Sequence, residues 1–240
     1  MSTVIVPASA PVQSFSLTGT TPGASTSDGP PTPTAADIWL RAGQVPLDRI
    51  LMDPAPGTAT EDDAADSRHK LGVNCELVNG ILVAKTMGWY ESRLALALAH
   101  FIESYLDQHP LGIVAGGDGP VMIIGNVRKP DVAFVSFARL PNGKIPRRKV
   151  LPIAPDLAVE VLSEGNTTAE MEVKLQEYFA VGVRLVWYIE PDLQSVRVFT
   201  AADSCEEIRA DGTLRGGDVL PGFELPLTRL FEKAGPRGEE

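Results

Sequence analysis

The chain has 240 residues, 44% of them hydrophobic, which is enough to bury one sizeable core. Its net charge of -10 argues against a sequence-independent nucleic-acid coat protein, whose affinity rests on neutralising phosphates. Cys75 and Cys205 have no CxxC spacing and His69, His100 and His109 are scattered, which argues against a disulfide framework and a zinc hydrolase.

Residues 1–35 are rich in Ser, Thr, Pro, Gly and Ala without periodicity, and read as a disordered tail. They lack the basic-then-apolar order of a secretory signal, and the chain has no apolar run of the roughly 18 residues that a membrane span needs. A cytoplasmic protein with no membrane partner is therefore expected. Residues 36–72 are transitional, with a short helix over 35–42 and a polar, loop-like stretch, PAPGTATEDDAADS.

The ordered domain is expected over 73–231, with a short tail at 232–240. CELVNGILVAK places Asn79-Gly80 between two apolar runs, the signal for a β-hairpin with a two-residue turn. WYESRLALALAHFIESYLDQ follows as a helix, with Leu94, Leu98, Phe101, Ile102 and Tyr105 at helical spacing. Strand-like pieces then run over 112–116, 121–125, 131–137 and 157–162. A helix follows from 167 to about 181, opened by the capping box Thr167-x-x-Glu170. Two more strands, 184–190 and 195–200, flank a Pro-Asp turn. This order predicts an α/β chain: a mixed sheet of α+β type, with a helix on each side. The helix between LAVEVL and RLVWYIE suits a crossover, so those two strands are expected to be parallel.

Three charges lie where the pattern is apolar. Glu160 sits in LAVEVL, a run without alternation that suggests burial on both faces. An isolated carboxylate there costs several kcal/mol unless it is paired or bound to metal. Asp131 follows Pro130 at the head of another apolar strand. Carboxylates converging from adjacent strands repel, and a hard divalent cation relieves that repulsion while keeping positions for phosphate oxygens. Lys174 flanks the stripe formed by Met171, Leu175, Tyr178 and Phe179, from which its ammonium could reach the same point. Each has a plainer reading: an exposed strand end, a turn aspartate and a snorkelling lysine.

KPDVAFVS, the stretch from APDLAVEVLSEGN to SVRVF, GDVLPGFELPL and the hairpin CELVNGILV together resemble the Uma-type endonucleases of the PD-(D/E)XK nuclease superfamily. The resemblance covers roughly residues 73–231. It implies a restriction-endonuclease-like fold and hydrolysis of phosphodiester bonds, with DNA as the expected substrate and Mg²⁺ or Mn²⁺ as the cofactor. By that resemblance Asp131 and Glu160 bind metal, the Val161 carbonyl is a backbone ligand, and Glu76 or Glu91 assists. The superfamily's lysine, expected two residues after the second acid, is replaced by Leu162; Lys174 on the next helix fits the migrated position. Residues 128–149 hold Arg128, Lys129, Arg139, Lys144, Arg147, Arg148 and Lys149 against Asp131 alone. Within this basic stretch, Arg147, Arg148 and Lys149 are candidates for guiding a nucleic-acid backbone. Pairing of two copies is compatible with cutting both strands. The alternative is a catalytically silent nucleic-acid-binding or protein-interaction module that keeps the fold.

Overall fold

The structure, a computed structural model, describes residues 33–236 and 238. Its centre is a six-stranded mixed sheet. The strands are β3 (Gly112–Gly116), β6 (Val132–Ser136), β7 (Leu157–Val161), β8 (Leu185–Glu190), β9 (Ser195–Ala201) and β10 (Ser204–Ile208), in spatial order 10-9-8-7-6-3. β7 and β8 are parallel, with Leu157 opposite Leu185 and Val161 opposite Ile189; the other pairs are antiparallel. The crossover between the parallel pair is α4 (Thr168–Ala180), as the sequence order predicts.

Burial on both faces explains the unalternating β7. Leu157, Val159 and Val161 face one side, where α3 (Trp89–Leu106) and α5 (Leu227–Ala234) cover the sheet with Leu94, Leu98, Ile102, Leu230 and Phe231. Ala158 faces the other side, packed with Met171, Leu175 and Tyr178 of α4 and with Val186 and Tyr188 of β8. Glu160, two residues after Ala158, shares its face and therefore points to the α4 side.

A second, four-stranded sheet is built from the hairpin. β1 (Cys75–Val78) and β2 (Ile81–Ala84) turn at Asn79-Gly80, both at positive φ, as an Asn-Gly hairpin turn demands. Gly80 is also required sterically, since a Cβ there would lie 2.8 Å from the Gly57 backbone. β4 (Val121–Ile123) and β5 (Asn126–Arg128) complete the sheet in the order 2-1-5-4.

Several elements differ from expectation. PAPGTATEDDAADS is not all loop: α2 occupies Glu61–Leu71. Thr60 caps it reciprocally with Asp63, acids fill its first turn, Arg68, His69 and Lys70 fill its last, and Gly72 closes it in the left-handed conformation. The strand expected over 121–125 ends at Ile123, because Ile124-Gly125 turn the chain into β5. β10, β11 (Thr213–Arg215), β12 (Glu224–Pro226) and α5 add structure beyond the last expected strand, and α5 runs past residue 231. The tail expected over 1–35 falls outside the described residues up to Thr32; Thr34 caps α1 (Ala35–Arg41).

The capping box at α4 is half-formed. Thr167 Oγ1 accepts the Glu170 N–H, but the Glu170 carboxylate goes elsewhere. It is held bidentately by Arg49, at 2.8 and 2.9 Å, and Arg49 also donates to the carbonyls of Ala84 (2.8 Å) and Gly165 (2.6 Å). Both side chains are buried, 6% and 3% exposed. Arg49 thus fastens the N-terminal segment to the hairpin and to the first turn of α4. Arg49→Ala leaves Glu170 buried without its cation, and is expected to cost about 3–5 kcal/mol in urea unfolding.

Candidate active site

The β6–β7 ladder ends at Val132–Val159, just after Pro130. Asp131 N–H donates to the Val159 carbonyl at 2.8 Å, and Asp131 Oδ2 accepts the Val161 N–H at 2.7 Å. The carboxylate therefore bridges the two strands beside Glu160. Its other oxygen, Oδ1, is buried and receives no aligned hydrogen bond, although Lys85 Nζ, from the end of β2, lies 2.6 Å away.

α4 brings a cation to the second carboxylate. Lys174 Nζ is 3.5 Å from Glu160 Oε1 and 3.1 Å from Glu76 Oε2, with all three side chains at most 5% exposed. Tyr178, one turn along α4, donates its hydroxyl to Glu160 Oε1 at 2.6 Å. Glu76 on β1 is held further by the Lys129 N–H (3.0 Å) and Arg128 (3.1 Å). Arg128 in turn pairs with Glu177 of α4 at 2.7 Å. Both sheets and α4 are thus locked together by one buried chain of alternating charges.

Glu76 and Glu160 share Lys174 but shift in opposite directions. Burial pushes both carboxyls up. At Glu76, Lys174, Arg128 and Lys85 outweigh burial with the Lys129 N–H, and the group is held well below the usual carboxylate range. At Glu160 burial wins, with Asp131 and Glu76 adding repulsion against Lys174 and Lys85, so its carboxyl is raised. Burial acts against the Lys174 ammonium, yet Glu160 and Glu76 raise it above the ordinary lysine range. Lys174 is therefore a fixed positive charge.

Two clefts open beside this cluster and share Lys85 and Met87. The larger, about 900 Å³, is lined by Glu91, Glu164, Glu190 and Asp192 as well as Lys85 and Ser163. The other, about 480 Å³, holds Asp131, Asn74, Arg68, Gly117 and Asp118. Glu91 lies in the first turn of α3, 7% exposed. A Cβ at Gly88 before it would meet Glu91 Oε2 at 2.1 Å, so a side chain there would push the Glu91 carboxylate aside.

The pattern of the Uma2 family, described as "Putative restriction endonuclease", matches residues 65–228, more than half of the chain. The chain belongs to the Uma2 family. A crystal structure of "a putative nuclease belonging to DUF820" from Anabaena variabilis ATCC 29413 is similar over 71% of this chain and 98% of that one, at 21% identity and a TM-score of 0.61. It shares the restriction-endonuclease-like fold. No curated protein matches significantly.

In this Uma2 chain the expected site residues fall in three places. Glu76, Glu160 and Lys174 meet directly, and Asp131 joins them through β7 and Lys85. Glu91 stands on the cleft wall. Arg147, Arg148 and Lys149 line neither cleft; Lys149 pairs with Asp66 of α2 at 2.8 Å, and Arg147 and Arg148 are exposed. Sequence reasoning missed Lys85, Tyr178 and Arg128. Tyr178 reads as a core aromatic, Arg128 as one charge of the basic stretch 128–149, and Lys85 as the last residue of the hairpin stretch CELVNGILVAK.

The residues fit a small hard cation. Among the described residues no three His, Cys, Asp or Glu side chains form a ready cluster. Mg²⁺ needs only one or two carboxylates and keeps several waters. Asp131 Oδ1, buried without an aligned donor, is an oxygen such an ion takes. Asp131, Glu160 and the Val161 carbonyl are the groups that would hold it. No described helix is long and apolar enough to cross a membrane.

Proposed function

We propose that this chain is a divalent-metal-dependent endonuclease that hydrolyses phosphodiester bonds in DNA. The observation carrying the proposal is the burial of Lys174 against the Glu160 and Glu76 carboxylates, beside an Asp131 whose Oδ1 has the Lys85 ammonium close by but no aligned hydrogen bond. A lysine pointing to solvent away from the acids would have favoured a silent module. A bound Mg²⁺ or Mn²⁺ supplies a water of lowered pKa and offsets charge on the scissile phosphate. The protein does the rest. Asp131 and Glu160 stand side by side on adjacent strands, and Tyr178 fixes the Glu160 rotamer through its hydroxyl. Lys174, fixed by Glu76, orients the attacking water or stabilises negative charge gathering on the phosphate oxygens. Glu91 assists from the wall of the larger cleft.

The experiment is nicking of supercoiled plasmid and of single-stranded DNA, with Mg²⁺ or Mn²⁺ against EDTA. Cleavage that requires the ion supports the proposal. Its absence across both ions and both substrates would sink it and leave a nucleic-acid-binding or interaction module.

Arg147 and Arg148 are proposed to contact the backbone outside the clefts. In anisotropy titrations of a labelled oligonucleotide, changing both to Glu should reduce the salt slope by about 2, roughly one per lost contact, and weaken binding at low salt. An unchanged slope would remove this loop from the interface.

A further inference from the structure

Lys85 stands where the two clefts meet. Its backbone is fixed, since Lys85 N–H donates to the Asn74 carbonyl at 2.7 Å. Its side chain is 8% exposed, and its ammonium contacts both the Lys129 carbonyl and Asp131 Oδ1. The contact to Oδ1 is a close approach of charges without hydrogen-bond alignment. Gly117 faces the pair without a side chain; a Cβ there would lie 3.6 Å from both Lys85 Nζ and Asp131 Oδ1.

An ammonium at this point and a divalent cation on Oδ1 compete for one oxygen and repel each other. Lysine is suited to yielding, because its compact charge rides on a flexible stem. We propose that Lys85 is a tethered counter-ion of Asp131 which a divalent cation displaces, and that the freed ammonium then binds a non-bridging phosphate oxygen of the substrate in the adjoining cleft. This rests on the metal-dependent reading above. It makes Lys85 a contact to the reacting phosphate, distinct from Lys174, whose two carboxylates hold it in place. The larger cleft otherwise offers a phosphate mainly acids, so Lys85 is the cation positioned to receive one there.

Calorimetric titration of Mn²⁺ into the full chain, without nucleic acid, tests the displacement. Lys85→Met should bind Mn²⁺ at least about tenfold more tightly than wild type, because a competing positive charge is gone. Lys85→Gln, which keeps a donor for the Lys129 carbonyl, should tighten binding likewise if Lys85→Met folds poorly. Lys85→Arg should not tighten it. With saturating Mn²⁺, both neutral variants should cleave an oligonucleotide at least about tenfold more slowly, the loss of one charged contact to the reacting phosphate. Uptake by the neutral variants alone, with none in wild type, would mean that Lys85 blocks the ion instead of yielding to it, and would also overturn the displacement. Unchanged or weaker Mn²⁺ affinity in folded Lys85→Gln would overturn it, and Lys85 would be a structural clamp. If wild type binds Mn²⁺ through Asp131 in that case, the metal reading stands without the Lys85 inference. If no variant takes up Mn²⁺, both fall.

Discussion

Asp131→Asn is expected to abolish ion-dependent cleavage, lowering kcat by about a thousandfold or more, or about 4 kcal/mol of barrier. The substitution is chosen for shape. Asparagine Oδ1 can still accept the Val161 N–H, so the bridge between β6 and β7 survives. Its amide, however, turns two donors toward the Lys85 ammonium, which lies 2.6 Å from the native oxygen. That clash should cost about 1–3 kcal/mol of stability, visible in thermal melts but tolerable at assay temperature. The variant must be purified identically with wild type, because a trace of contaminating nuclease would nick plasmid in both. Equal activity in the two preparations would mean that Asp131 does not hold the reactive ion.

Lys174→Met should be the most destabilising substitution in the site, and its effect should depend on pH. Removing the ammonium leaves Glu76 with Arg128 and the Lys129 N–H, but leaves Glu160 with little more than the Tyr178 hydroxyl. A buried pair broken this way costs about 3–5 kcal/mol. Glu160 can escape by protonating. Its carboxyl is already raised above the ordinary value of 4.5, and loss of Lys174 raises it further. A group whose folded pKa is raised binds a proton in the folded state that the unfolded chain does not hold at the same pH. Stability attached to it therefore falls as pH rises from 4.5 through the folded pKa. Glu76 is shifted downward, and its contribution is intact above 4.5 and lost only below. Urea unfolding at pH 5 and pH 8 thus isolates Glu160. The variant should lose more stability at pH 8 than at pH 5, and Lys174→Arg should show less of this difference. An equal loss at both values would mean that Glu160 is not the uncompensated group. Cleavage by Lys174→Met should fall at every pH.

The parts of this arrangement readable from sequence are those where one residue contradicts its surroundings. Glu160 in LAVEVL, Asp131 before an apolar strand and Lys174 beside an apolar stripe each break a local pattern, and the fold brings them together. The hairpin and the β7–α4–β8 crossover were legible because turn chemistry and periodicity are short-range signals. α2 was not legible, because it has no apolar stripe; caps and end charges define it instead. β10 is exposed along nearly its whole length and carries little burial pattern, so nothing in Ser204–Ile208 marks it as a strand. Lys85 and Arg128 were missed for a different reason. A cation at a strand end looks solvated until its partner arrives, and the partners come from distant parts of the chain: Lys85 with Asp131, Arg128 with Glu76 and Glu177.

The Arg49 clasp bears on where this protein can be shortened. The span matching the family begins at residue 65, and Arg49 lies before it. A chain trimmed to that span would keep Asp131, Glu160 and Lys174, yet would strip Glu170 of the guanidinium that anchors the start of α4. The helix carrying Lys174 and Tyr178 would then lose its mooring at one end while every residue drawn into the chemistry remained. Such a fragment could fall silent through slack rather than through missing chemistry. The boundary of the fully anchored domain would then be set by an arginine that lies outside the buried cluster of Glu76, Glu160 and Lys174.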